Sequence, residues 1–255
     1  MRDTDDHRVG SPRNCSRVQF TLHSHAPPLD VFPHGEGCLS EGIWSNDRTP
    51  LALAPMFPVE TTCATVLFAD MRGYTGLAES LPPARVVPLL EEFFGVLAEA
   101  TEVYGGEVFH MAGDGMMAGF GVRDPSQHGA QEALAAGRAM LQRFSPVAAR
   151  WQRECHIATG MGVGLHLGEV ALGLLGPPGK RTETLVGDTA NVAARLCSRA
   201  RNGEMLLSST VAAALDDGAD LSGRAPFLLL PQFAMRGRSG LLDIWCVPAA
   251  ERLLI

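Results

Sequence analysis

Apolar residues between positions 61 and 248 recur with two different periods, and each period predicts its own kind of element. Residues 63–69, CATVLFA, form a short β-branched and apolar run that predicts a buried strand. Residues 82–106 carry apolar side chains three and four positions apart, which predicts a helix with one buried face and a glycine pair just after its end. The apolar positions of that face are Val86, Leu89, Leu90, Phe93, Val96 and Leu97.

The rest of the pattern completes an α+β fold. Two short apolar runs flank Gly113-Asp114-Gly115, which is typical of a hairpin turn. The elements predicted after this hairpin are a helix over 124–151, a glycine-rich strand and turn over 158–176, a helix over 188–200, a strand and short helix over 204–215, and a hairpin over 225–248. This order predicts a ferredoxin-like βαββαβ antiparallel sheet with helices on one face, followed by a C-terminal α/β extension and hairpin.

Residues 1–60 have a different character. They hold seven of the 17 prolines and four of the eight histidines, without a sustained period of either kind. Such a stretch cannot bury a core of its own and is expected to be disordered or loosely packed. The predicted organisation is therefore an N-terminal segment over 1–60 and a folded domain over 61–250.

Composition and charge exclude several classes of protein. The net charge of −7 gives no basic surface for nucleic acid. No apolar run approaches the roughly 18 residues that a membrane span needs, and residues 1–10 lack the apolar stretch of a signal peptide. Six scattered cysteines without a CxxC pair are expected to be free thiols, so a cytoplasmic protein is expected.

Two acidic residues stand at the ends of apolar strands. Asp70 ends the first predicted strand and Asp114 lies at the tip of the hairpin, so the topology places both at the same end of the sheet. Either residue alone fits a structural turn, because Asp is common in Asx turns and in Gly-Asp-Gly hairpins. As a neighbouring pair they would repel unless cations lay between them, and two divalent ions held by two Asp suit attack of a hydroxyl on a phosphoryl group.

Two further segments suggest contacts with phosphate and ribose. After Asp70, the turn that contains Gly73, Tyr74 and Thr75 offers backbone N–H groups that could hold phosphate oxygens. In the third predicted helix Asn191 and Arg195 are four apart and share a face. Arg195 could stabilise charge that develops on phosphorus, and Asn191 could bond a ribose oxygen. A surface arginine and a solvated polar residue are the simpler interpretation.

Four stretches in this order resemble the catalytic domain of class III nucleotide cyclases, the adenylate/guanylate cyclase homology domain, across residues 61 to 248. They are FADMRGYTGLAE at 68–79, GGEVFHMAGDGMMAGFG at 105–121, GVGLHLGEVALGLLG at 162–176 and TLVGDTANVAARL at 184–196. The first and last of these are the specific ones.

The resemblance implies a role for each matching position. Asp70 and Asp114 would hold two Mg²⁺ or Mn²⁺ ions, with the Met71 carbonyl as a further ligand. Asn191 would orient the ribose and Arg195 would stabilise the transition state. Arg236 falls where the family places a lysine on the triphosphate. Such enzymes form their site at a homodimer interface, where one chain gives the acids and the other gives the Asn and Arg.

The resemblance also implies a pair of residues that reads the base. At one of these positions the family has Asp or Thr, and this chain has Thr184, the variant typical of bacterial adenylate cyclases. At the other position the family has lysine, and this chain has His110. The expected reaction is therefore conversion of a nucleoside triphosphate, with ATP first, to a 3′,5′-cyclic nucleotide and pyrophosphate. Because of His110, GTP or a pyrimidine triphosphate stays open as the substrate. Two different functions also stay open: a weakly active regulatory homologue, and a diguanylate cyclase or polymerase-like palm domain.

Overall fold

The computed structural model describes residues 59–124, 126–216, 227–234 and 241–248. The predicted N-terminal segment, residues 1–60, lies almost entirely outside these ranges. The strands are β1 (Glu60–Arg72), β2 (Glu107–Ala112), β3 (Gly115–Phe120), β4 (Gly160–Leu175), β5 (Thr182–Val186), β6 (Met205–Ser208), β7 (Leu228–Ala234) and β8 (Leu241–Val247). The helices are α1 (Tyr74–Ser80), α2 (Pro83–Val103), α3 (Ala130–Cys155), α4 (Asp188–Arg199) and α5 (Ser209–Asp216).

The strands form one mixed sheet in the order β2-β3-β1-β4-β6-β8-β7, with β5 paired to β4. The first four strands pair antiparallel, which confirms the ferredoxin-like order predicted for them. The extension departs from that pattern, because β6 runs parallel to β4. A parallel neighbour needs a crossover connection, and here the connection runs through β5 and α4.

Alternate residues of β1 enter two different cores. Leu67 and Ala69 pack in a cluster with residues of α2 and α3, whereas Val66 packs in a second cluster with Ala193 of α4. Because neighbouring residues of a strand point to opposite faces, α4 lies on the face opposite to α2 and α3. The expectation of helices on one face therefore holds for α2 and α3 and is wrong for α4.

Helix α4 approaches the sheet very closely at Gly164. A Cβ atom at this position would lie 2.2 Å from the backbone nitrogen of Cys197 and 2.4 Å from the carbonyl oxygen of Ala193. Only glycine allows this separation, so the glycine-rich sequence of β4 fixes where α4 sits.

Helix α3 begins six residues later than the sequence pattern predicts. The Asp124 carboxylate accepts a hydrogen bond from the backbone N–H of Ser126 at 3.0 Å. The residues predicted to start the helix therefore form a turn. Gly129, with φ 67°, then precedes the helix, which starts at Ala130. Among the described residues, no helix combines the length and the apolar character that crossing a bilayer requires.

Candidate active site

Asp70 and Asp114 lie together at one end of the sheet, as the topology predicted. Asp70 stands opposite Gly115 in the β1–β3 ladder, and the backbone N–H of Met71 donates to the Asp114 carbonyl at 3.0 Å. Asp70 Oδ1 lies 3.4 Å from the point that a Cβ of Gly115 would occupy, so the carboxylate lies directly against the start of β3.

The proximity of the two acids changes the chemistry of Asp114. Partial burial raises the pKa of the Asp114 carboxyl above its ordinary value, and the negative charge of Asp70 raises it further. A hydrogen bond from the backbone and the charge of Arg72 act in the opposite direction without cancelling the rise. A cation bound between the carboxylates would remove this repulsion.

Arg72 is the residue at this site that sequence reasoning missed. Its Nη1 donates to the Asp70 carboxylate, its Nε donates to the Ala200 carbonyl at 3.0 Å, and its Nη2 donates to the Cys197 carbonyl. The only signal in the sequence is its position two residues after Asp70, which puts both side chains on the same face of β1.

The residues that follow Asp70 along the chain have different environments. The side chain of Met71 is buried in the core against α2 and α3, so only its backbone can face the acids. Gly73 has φ 83°, and a Cβ there would lie 2.4 Å from the Ala158 carbonyl oxygen. Backbone geometry alone therefore requires this glycine. Tyr74 and Thr75 form the first turn of α1 and not the separate turn that was expected.

Asn191 and Arg195 share an exposed face of α4, as their spacing predicted. The opposite face, which includes Ala193 and Cys197, is buried against the sheet. Cys197 contacts Arg72, and a separation of two residues in a helix is a rotation of roughly 200°. Arg195 therefore points away from Asp70 and Asp114 of its own chain.

His110 and Thr184 lie on two strands that a surface ion-pair network joins. His110 is exposed on β2 and Thr184 is half-buried on β5. Arg123 donates to Glu107 of β2 at 3.0 Å and also to Glu183 of β5. Arg236, the residue expected on the triphosphate, lies outside the described residues.

The donor set of the acid pair fits a nucleotide-bound divalent ion. Within the described ranges, no group of three or more His, Cys, Asp or Glu side chains could hold a metal by itself. Mg²⁺ commonly takes one or two carboxylates and completes its octahedron with substrate phosphates and water. Two adjacent aspartates match that requirement and do not match a metal enclosed by protein.

Fold and site together define the class: a ferredoxin-like α+β domain with paired acids at one end of its sheet. Residues 57–241 match the family model described as Adenylate and Guanylate cyclase catalytic domain, and the chain belongs to this family.

Solved cyclase structures share the architecture. The adenylyl cyclase CyaB from P. aeruginosa is 25% identical, with a TM-score of 0.69 over 78% of this chain and 100% of that one. The guanylyl cyclase Cya2 is 27% identical, with a TM-score of 0.67 over 77% of this chain and 97% of that one. These neighbours include both adenylyl and guanylyl cyclases.

A curated relative in Mycobacterium tuberculosis strain H37Rv, Uncharacterized protein Rv1318c, is 32% identical over 174 residues. The matched region is 68% of this chain and 30% of the relative, so the chain spans less than a third of that protein's length.

Proposed function

We propose that this chain, as a homodimer, converts a nucleoside triphosphate, and ATP in the first place, to a 3′,5′-cyclic nucleotide and pyrophosphate. One observation carries the proposal. Asp70 and Asp114 lie side by side, while Asn191 and Arg195 lie on the side of α4 turned away from them. Each chain thus holds two half-sites that face different directions.

The acid pair forms the first half-site. Asp70 and Asp114, with the Met71 carbonyl, would hold two Mg²⁺ or Mn²⁺ ions. When bound, such ions polarise phosphoryl oxygens and lower the pKa of an attacking hydroxyl. The backbone N–H groups of Gly73, Tyr74 and Thr75 would contact phosphate oxygens at the start of α1.

The outer face of α4 forms the second half-site. The Asn191 amide would hold the ribose, so that O3′ lies in line with the α-phosphorus. The Arg195 guanidinium would stabilise the negative charge that builds on the α-phosphoryl oxygens. Arg236 would bind the triphosphate. The O3′–P bond forms as the bond from the α-phosphorus to the bridging oxygen breaks, pyrophosphate leaves, and the hydroxyl proton passes to solvent.

A second copy of the chain is required because of the direction in which α4 faces. Arg195 cannot serve the acids of its own chain from the far side of the helix, but a two-fold dimer in which each outer face of α4 meets the partner's acid pair would complete both sites. The dimer would then contain two equivalent sites, and each would use residues from both chains.

The direct test is product identification. Purified protein incubated with Mn²⁺ and each of ATP, GTP, CTP and UTP should give a 3′,5′-cyclic nucleotide and pyrophosphate, identified by mass, with ATP consumed fastest. Faster turnover of GTP would correct the substrate and leave the reaction intact. A dimer that binds nucleotide and forms no cyclic product from any of the four would show the regulatory homologue instead.

His110→Lys is expected to raise the preference for ATP over GTP severalfold. A lysine has a longer reach and carries its charge at all relevant pH values, whereas the charge of a histidine varies with pH. The measurement is the ratio of kcat/KM for ATP to that for GTP. Met111→Lys is the matched control, because it places the same charge one residue along β2 at an exposed position of the opposite face. An unchanged ratio for His110→Lys would show that this residue does not read the base.

A further inference from the structure

Arg72 makes several polar contacts that the roles proposed above for other residues do not explain. Three of its side-chain nitrogens are engaged: Nη1 with Asp70, Nη2 with the Cys197 carbonyl, and Nε with the Ala200 carbonyl. Its side chain is only 23% exposed. A guanidinium with donors in a fixed plane can bridge these partners at once, which the single ammonium of a lysine cannot do.

We propose that Arg72 is a positioning residue that competes with the divalent cation for Asp70 and fastens the cation site to the C-terminal end of α4. This inference rests on the proposed function, in which Asp70 holds a metal ion. Binding of the ion to Asp70 would release Nη1, while Nε and Nη2 keep their bonds to the helix.

The charges around Arg72 support both parts of this role. One positive charge lies between the acidic pair on one side and the end of a helix on the other. The last carbonyl groups of a helix carry partial negative charge, and the Cys197 carbonyl accepts from Arg72 in addition to the Ala200 backbone N–H, which lies 3.0 Å away. Arg72 therefore neutralises negative charge at two places, the Asp70 carboxylate and the end of α4. A divalent ion bound at the acids can replace Arg72 only at Asp70.

The space around Arg72 is shaped to hold it. Gly162 lies opposite Asp70 in the β1–β4 ladder, and a Cβ at this position would lie 2.4 Å from Nη2 of Arg72. The thiol of Cys197 donates to the Gly162 carbonyl at 3.3 Å, which keeps the end of α4 against this glycine. A side chain at position 162 would push the guanidinium out of the gap.

The location of Arg72 gives it a consequence beyond its own site. The outer face of α4 carries Asn191 and Arg195, which serve the partner chain's acid pair in the proposed dimer. Arg72 thus joins the cation-binding acid of one half-site to the helix of the other half-site.

The test is Mn²⁺ binding by the full chain with 3′-deoxy-ATP, which lacks the attacking hydroxyl, in every sample and in a protein-free blank, measured from the electron paramagnetic resonance signal of free Mn²⁺. Arg72→Gln is expected to bind Mn²⁺ roughly tenfold more tightly than wild type, since a unit charge a few ångström from the ion is removed in a partly screened site. Its kcat at saturating Mn²⁺ is expected to fall, because α4 loses two donors. A merely structural role would weaken binding and turnover together.

Arg143→Gln is the matched control. It removes the same charge from α3, where Arg143 pairs with Glu99 of α2, and it should leave the Mn²⁺ affinity unchanged. Unchanged or weaker Mn²⁺ binding by a folded Arg72→Gln protein would overturn the proposal.

Asp70→Asn separates failure of this inference from failure of the proposed function. If the Asp70→Asn protein binds Mn²⁺ as tightly as the wild-type chain does, the assignment of Asp70 as a metal ligand is wrong. If Asp70→Asn weakens uptake and Arg72→Gln does not strengthen it, only the role of Arg72 is wrong.

A measurement on the wild-type chain decides the matter should Arg72→Gln fail to fold. The side-chain Nε–H resonance of Arg72, assigned through bonds from its backbone, should shift on titration with Mg²⁺ while that of Arg143 stays in place. An Arg72 resonance that does not respond at Mg²⁺ concentrations that shift the Asp70 resonances would contradict the competition.

Discussion

Asp114→Asn is expected to abolish cyclase turnover and, in the same protein, to raise the melting temperature in metal-free buffer. Loss of one of two metal carboxylates should lower kcat/KM by at least about 10³-fold, or about 4 kcal/mol of transition-state stabilisation. The stability change has the opposite sign, because the asparagine removes a charge that the native fold holds beside Asp70.

The sign of the stability change follows from the pKa. Burial and the charge of Asp70 raise the pKa of the Asp114 carboxyl, so the folded protein holds this proton more tightly than the unfolded chain. The stability that this proton gives is therefore present below the unfolded pKa and is lost as the pH rises through the folded pKa. The gain from Asn is expected to be about 2 °C, because solvent screens part of the repulsion and ~1 kcal/mol corresponds to about 2–4 °C in a domain of this size.

Asp124→Asn is the control for both measurements. The Asp124 carboxylate accepts hydrogen bonds from Ser126, which lower its pKa, so its replacement should not raise the melting temperature. Because Asp124 lies outside the site, turnover should also be kept. Normal turnover by Asp114→Asn, measured with Mn²⁺ in excess, would contradict the metal assignment.

Mixing Asp70→Ala chains with Arg195→Ala chains is expected to restore activity that neither variant has alone. Asp70 and Arg195 of one chain face different half-sites, so a mixed dimer contains one site with both residues intact and one site with neither. With free exchange, half of the dimers are mixed and each has one working site of two. Turnover should therefore recover to about a quarter of the wild-type value per chain.

The control mixture is Asp70→Ala with Asp114→Ala. Both residues belong to the same half-site, so every dimer in that mixture has a damaged acid pair at each site and no activity should return. Mixed dimers are to be verified with two different affinity tags. If verified Asp70→Ala/Arg195→Ala dimers show no turnover, the shared-interface arrangement is wrong.

The periodic pattern predicted the elements that local sequence controls. The first strand, the hairpin around Asp114 and the helix with its apolar face at Val86, Phe93 and Leu97 are all present. Helix α3 was placed too early, because Gly129 and the turn at Asp124 interrupt a pattern that looks helical by composition. Strand β5 was not assigned as a strand, since it takes its place only by pairing with β4.

The sequence by itself determined which residues could carry charge and that an acid follows the apolar part of the first strand, although β1 continues two residues past Asp70, to Arg72. That was enough to bring Asp70 and Asp114 together, since the turn of a hairpin and the end of its antiparallel neighbour lie at the same end of a sheet. Only the tertiary structure decided what lies against Asp70. Arg72 meets carbonyls 125 and 128 residues along the chain, and the packing of α4 onto Gly164 brings those carbonyls within reach. The same packing turns Arg195 away from the acids of its own chain, because a helix that buries one face must expose the other.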